Sequence, residues 1–167
     1  IMGGPMAGHL LADGWRLHVF NRSRGKAEAL IAKGATWCNS AAEVARSSDV
    51  IVTIIGYPKD VEATYLGPDG LIAQAKPGTI FVDMTTSTPE LAERVAKAAA
   101  AKGMAALDAP VSGGEMGAKN AKLTIMVGGA AQAFETVRPL LAKMGSNVIL
   151  QGGPGAGQHT KVVNQIV

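Results

Sequence analysis

Asp49-Val50-Ile51-Val52-Thr53-Ile54-Ile55 is a β-branched apolar run without alternation. That is the pattern of a strand covered on both faces, and such strands belong to parallel sheets with helices above and below. Gly56-Tyr57-Pro58 breaks the run, helical turns follow to about Tyr65, and Gly67-Pro68-Asp69-Gly70 reads as a loop. Toward the C-terminus, Thr79 to Asp83 repeats the buried-strand pattern. Thr88 caps an alanine-rich helix opened by Pro89 and closed by Gly103, and Met104 to Asp108 is the next strand. Strands over 123–127 and 147–150 flank a helix over 131–143, in which Pro139 is expected to kink or divide the second half. Toward the N-terminus, Ser40 to Glu43 is a capping box. A helix over 25–33 stops at Gly34, Arg16 to Phe20 alternates as a strand, and Pro5 sits in the first turn of a helix that ends at Gly14. The alternation of strands and helices predicts an α/β fold built on a doubly wound, mostly parallel sheet.

The 167 residues suffice for one domain with a substantial core. With 47% hydrophobic and 17% charged residues the chain is globular, and with 4% aromatics its core is mostly Ala, Val, Ile, Leu and Met. A net charge of +3 without any Lys/Arg-rich run argues against nucleic acid as partner and is compatible with an anionic cofactor. Cys38 is the sole cysteine, which excludes an internal disulfide and a cysteine-rich zinc site. His9, His18 and His159 lack metal-ligand spacing, so no metal is expected, and no apolar run is long enough to span a bilayer. The sequence opens at Ile1 and closes inside a helical pattern, and is read as cut at both ends. A cytoplasmic location is expected, with a mitochondrial one left open by the N-terminus.

Two stretches carry chemistry. In Asp108-Ala109-Pro110-Val111-Ser112-Gly113-Gly114 a serine beside two glycines offers a hydroxyl and free backbone N–H groups, which suit a small carboxylate. In the other, a glycine-rich turn at 152–157 opens into Gln158-His159-Thr160-Lys161-Val162-Val163-Asn164-Gln165. Lys161 can give or take a proton, and Asn164, one helical turn on, can orient it. Gln158, Lys161 and Gln165 share one helical face. Alone, Lys161 reads equally as an exposed helical lysine. The 152–157 turn is not a phosphate loop, because the third glycine of such a loop would fall on Gln158.

Gly3 stands where the third glycine of a G-x-G-x-x-G dinucleotide motif would stand, although by itself it is only a glycine at a helix start. After the strand ending at Phe20, the acidic residue that grips ribose hydroxyls is replaced by Asn21, followed by Arg22, Ser23 and Arg24. A neutral amide, guanidinium groups and a hydroxyl suit a 2′-phosphate, and would also suit a solvated basic turn. NADP is favoured over NAD.

In this order the motifs resemble the β-hydroxyacid dehydrogenases, the family of 3-hydroxyisobutyrate dehydrogenase and tartronate semialdehyde reductase, over essentially the whole chain. Ile1-Met2-Gly3-Gly4-Pro5-Met6-Ala7 resembles the family's cofactor motif after loss of its first glycines. Val82-Asp83-Met84-Thr85-Thr86-Ser87-Thr88-Pro89 resembles its segment beside the nicotinamide, with Thr85 in place of the usual serine. Residues 108–114 resemble its substrate signature and residues 155–165 its catalytic segment. The resemblance implies a Rossmann-like NAD(P)-binding domain over 1–157 without its first strand. Residues 158–167 would begin an interdomain helix leading to an absent all-α domain.

The implied activity is reversible hydride transfer between NADP, with NAD possible, and a small 3-hydroxy acid or semialdehyde. Lys161 would be the general acid/base with Asn164 beside it, while Ser112, Gly113 and Gly114 hold the substrate carboxylate. Met2, Gly3, Pro5, Met6, Asn21, Arg22, Ser23, Pro58 and Thr86 would contact the cofactor. No membrane partner is expected. A homo-oligomer is, since an unpaired sheet edge invites another chain. Two other readings stand beside this one: an imine or other carbonyl reductase of the same 6-phosphogluconate dehydrogenase-like superfamily, and a non-catalytic nucleotide-binding fragment.

Overall fold

The computed structural model describes residues 1–166. Helix α1 (Gly3–Ala12) leads into β1 (His18–Val19), which pairs in parallel with β2 (Thr36–Trp37) as a small sheet of its own. β1 is shorter than the alternation over 16–20 suggests, because β2, which the sequence did not announce, offers only Thr36 and Trp37 as ladder partners. Between them the helix expected over 25–33 is split into a 3₁₀ turn at Arg24–Ala27 and the short α2 (Glu28–Ile31). Neither start carries a side-chain cap.

Next comes α3 (Ala41–Ser47), where the Ser40 hydroxyl accepts from the Glu43 N–H at 3.1 Å. The Glu43 carboxylate reaches past Ser40 to accept from the Asn39 N–H at 2.6 Å.

The β-branched run forms β3 (Val50–Thr53), followed by α4 (Pro58–Leu66), α5 (Leu71–Gln74), β4 (Ile80–Asp83), α6 (Pro89–Ala100) and β5 (Ala105–Asp108). β3, β4 and β5 pair in parallel, which brings Thr53, Asp83 and Asp108 level at their C-terminal ends. The chain then turns through β6 (Val111–Ser112) and α7 (Gly114–Lys119) into β7 (Leu123–Gly128), α8 (Ala131–Leu141), β8 (Gly145–Gly152) and α9 (Ala156–Ile166). β7 runs antiparallel to β5 and β6, and β8 is parallel to β7. The sheet is thus mostly parallel, with three parallel pairings and two antiparallel ones, both made by β7. Pro139 lies inside α8, near its C-terminal end, without dividing it.

Helices cover both faces of the larger sheet. Met6 and Leu10 of α1 and Phe134, Val137 and Leu141 of α8 pack on Val82, Leu107 and Ile125. Val61 and Tyr65 of α4 and Leu91 and Val95 of α6 pack on Ile51 and Phe81. Neighbouring Phe81 and Val82 enter opposite clusters, as the two-residue period of a strand requires. Among the described residues β3 has β4 as its one strand neighbour, and the β1–β2 pair is not hydrogen-bonded to the larger sheet.

Candidate active site

Ligands of open α/β sheets lie beyond the carboxyl ends of the strands, and here that region holds an open cleft of about 440 Å³. One wall is Ile54 to Gly56 after β3 and Met84 to Thr86 after β4. The opposite wall is Val111 to Gly114, and Met2 at the start of α1 and Lys161 and Gln165 of α9 complete it. Lys161 is the only charged side chain among these residues. It is 7% exposed, and burial pulls its pKa below the ordinary lysine value.

Local sequence explains each wall. Gly113 and Gly114 have φ of +125° and +58°, conformations that strain most other L-residues, so the chain can pass from β6 into α7 with Ser112, Gly113 and Gly114 all lining the cleft. The short α7 itself gave no clear signal in the sequence. His9 Nε2 donates to the Ala118 carbonyl at 2.9 Å, tying α1 to α7. The first turn of α1 has no side-chain cap and no acidic residue, so its N–H groups are available to an anion.

Beneath the cleft lies a buried polar lattice. Tyr65 donates to Thr53 Oγ1 (2.7 Å), and the Thr53 hydroxyl and the Thr85 N–H donate to Asp83 Oδ1 (2.9 and 3.1 Å). Loss of solvent raises the Asp83 carboxyl to about 6 despite these donors, and the charge of Asp108 adds to the rise. The Thr85 hydroxyl accepts from the Ile55 N–H at 3.0 Å, fastening the end of β3 to that of β4. Asp108 Oδ1 and Oδ2 accept from the Gly155 and Gln158 N–H groups at 2.8 and 2.9 Å, which places a carboxylate on the N-terminus of α9. Gln158 is fully buried.

The residues expected to share a site are brought together in part. Ser112, Gly113, Gly114, Lys161, Met2 and Thr86 all line the cleft. Asn164 is exposed and outside the lining, where Gln165, four residues beyond Lys161, stands instead. Gly3 opens α1 against Ile54, Pro5 is half-buried in its first turns, and Met6 is core. Asn21, Arg22 and Ser23 form an exposed turn in which Asn21 Nδ2 donates to the Ser23 carbonyl at 2.9 Å. Pro58 is exposed at the start of α4. Sequence reasoning missed Thr85 and Asp108 as the groups that hold the walls; the polar spacing 158, 161, 165 along α9 was the legible trace of the third, Gln158.

A doubly wound sheet with an uncapped first helix and a lysine cleft at its strand ends defines a dinucleotide-binding domain. Residues 1–153 match the family described as the NAD binding domain of 6-phosphogluconate dehydrogenase, and the chain belongs to that family. It is 49% identical over 166 residues to the uncharacterized oxidoreductase YkwC of Bacillus subtilis, covering 99% of this chain and 58% of that protein. It is 42% identical over 166 residues to the 3-hydroxyisobutyrate dehydrogenase of Pseudomonas aeruginosa, covering 99% and 56%. The structure of Mycobacterium tuberculosis 3-hydroxyisobutyrate dehydrogenase with L-serine superposes with a TM-score of 0.93 at 36% identity, again covering 99% and 56%. The chain therefore spans little more than half the length of these relatives. Among the described residues no helix is long and apolar enough to cross a membrane.

Proposed function

We propose that this chain is the cofactor-binding part of an NAD(P)-dependent 3-hydroxyacid dehydrogenase, in which Lys161 is the general acid/base. The observation that carries the reading is one cleft that unites a buried lysine, a Ser-Gly-Gly carboxylate cradle and the uncapped start of α1. The relative named for 3-hydroxyisobutyrate, similar over 99% of this chain, favours a small hydroxy acid or its semialdehyde.

The residues fit a nicotinamide dinucleotide. The first-turn amides of α1 would hold its diphosphate with Met2, Gly3 and Pro5 alongside, Met6 seating the helix from the core. Asn21, Arg22 and Ser23 would hold a 2′-phosphate, which favours NADP, and Pro58 and Thr86 flank the remainder. When bound, the nicotinamide ring supplies the hydride acceptor or donor. Ser112 and the Gly113 and Gly114 amides hold the substrate carboxylate and so orient the hydroxyl carbon. Neutral Lys161 takes the hydroxyl proton during oxidation, and its ammonium returns it during reduction. Asn164, exposed outside the lining, would reach the substrate or the lysine only from the rim. Gln165, which lines the cleft four residues beyond Lys161, is the better placed amide to steady them. A homo-oligomer remains part of the proposal, as do the imine-reductase and non-catalytic alternatives at lower rank. The carboxylate cradle has no use in reducing an imine.

Turnover of 3-hydroxyisobutyrate, L-serine and their chain-length homologues with NADP and NAD tests the reading. Ser112→Ala is expected to raise KM for the hydroxy acid roughly 10-fold or more with cofactor affinity little changed. Unchanged KM for every hydroxy acid would remove the cradle from the mechanism.

A further inference from the structure

We propose that Gln158 is a positioning residue for Lys161: its side-chain amide fastens the lysine-bearing helix α9 to loop 85–87, the wall of the cleft that faces the cofactor. This rests on the reading of Lys161 given above. Gln158 is 1% exposed, and an amide at that depth is stable only with its hydrogen bonds made. Both ends are satisfied by backbone of one loop: Oε1 accepts from the Ser87 N–H at 2.9 Å and Nε2 donates to the Thr85 carbonyl at 2.8 Å. Its own N–H is held by Asp108 Oδ2 at 2.9 Å. Packing alone would be served as well by leucine or methionine, so the amide is there for the loop.

The consequence for Lys161 is geometric. Residues three apart on a helix lie on one face, so the anchor at Gln158 fixes both the rotation of α9 and its distance from Thr85 one turn before the lysine. Thr85 is itself bonded to the end of β3 through Ile55 and to Asp83 through its N–H. One continuous set of bonds therefore runs from the β3 and β4 ends to the helix that carries the proton-transfer group. A displacement of about 1 Å of such a group reduces turnover on the order of 100-fold.

Gln158→Met and Gln158→Glu separate positioning from packing. Methionine keeps the volume and loses both bonds. Glutamate keeps the acceptor for Ser87 at every pH but can donate to the Thr85 carbonyl only when protonated, a state favoured by burial and by the nearby Asp83 and Asp108 carboxyls. Turnover of each variant is first divided by its own fitted Lys161 titration and then read as a ratio to wild type at each pH, so that a moved lysine titration is separated from the protonation of position 158. The Gln158→Met ratio is expected to be low, on the order of one hundredth, and flat with pH. The Gln158→Glu ratio is expected to climb by about 10-fold or more as pH falls from about 9 to about 6. Ratios near one for both variants, or equal depression of both at all pH values, would overturn the proposal. If wild type turns over no hydroxy acid, the functional reading fails separately. The positioning is then read from the ¹³C-methyl NMR titration of reductively methylated Lys161, assigned by its loss in Lys161→Arg. Movement of that titration toward ordinary lysine in Gln158→Met supports the anchor, and an unmoved titration refutes it.

Discussion

Lys161 sits in a wall of backbone and uncharged side chains, and loss of solvent around its ammonium is the cause of its lowered pKa. The burial that would make it the proposed base also opposes folding. Because the folded pKa lies below the unfolded one, the unfolded chain holds the extra proton in the window between them, so stability rises with pH there and the penalty is full below the folded pKa. Two outcomes follow. Hydroxy-acid oxidation should rise with pH to a plateau that begins below the ordinary lysine value of 10.5, and Lys161→Met should lose this limb while melting no lower than wild type.

Asp83 behaves in the opposite sense. Its carboxyl is raised from 3.8 to about 6, so its contribution to stability is complete below the unfolded value and is lost as pH rises through about 6. A shift of that size corresponds to at most ~3 kcal/mol. Asp83→Asn keeps an oxygen for Thr53 and the Thr85 N–H and cannot ionise. Its stability relative to wild type, followed by denaturant melts, should therefore increase between about pH 4 and pH 7. A constant difference across that range would mean that Asp83 titrates normally.

Among the elements, α9 shows most directly how the site is held. It approaches the sheet so closely that glycine is required on both sides of the contact. A Cβ on Gly157 would fall 2.8 Å from both the Asp108 carbonyl and its Oδ2, and one on Gly128 would fall 2.5 Å from Asp108 Oδ1. Gly157→Ala must push the helix away or displace Asp108, and the obstruction is mostly backbone. A loss of roughly 3 kcal/mol is expected, seen as a fall of about 10 °C in melting temperature, with weaker turnover in the survivors.

Legibility in the sequence follows the same physics. β3, β4 and the Thr88-capped α6 were readable because their signals are local, an unbroken β-branched run or a cap three residues from its N–H partner. Ser112 and Lys161 were readable as residue types in short motifs. The Asp108–Gln158–Thr85 clasp was not, because it joins positions 50 and 73 residues apart, and neither an aspartate at a strand end nor a glutamine in a helix announces a partner at that distance. β2 and the split of the 25–33 helix were lost for a related reason, since short pieces are decided by what they pack against.

At the scale of the whole molecule, in the proposed function the two sheets present different chemistry to one dinucleotide. The larger sheet offers the start of α1 and the Lys161 cleft, while the β1–β2 pair ends in the exposed turn Asn21-Arg22-Ser23. No carboxylate lies in that turn to repel a 2′-phosphate, and Arg24 is engaged over the Trp37 ring, 5.5 Å from its centroid, which makes Arg22 the better candidate for a phosphate ligand. Binding to the folded state alone raises stability by RT ln(1 + [L]/Kd), about 2.7 kcal/mol at one hundred times Kd, so thermal shift and calorimetric titration report the same event. NADPH is expected to bind more tightly than NADH, and Arg22→Ala should remove most of the difference by weakening NADPH roughly 10- to 100-fold while leaving NADH nearly unchanged. Equal loss for both cofactors would place Arg22 on the shared part of the dinucleotide, and a wild-type preference for NADH would assign the turn to solvent and the cofactor to NAD.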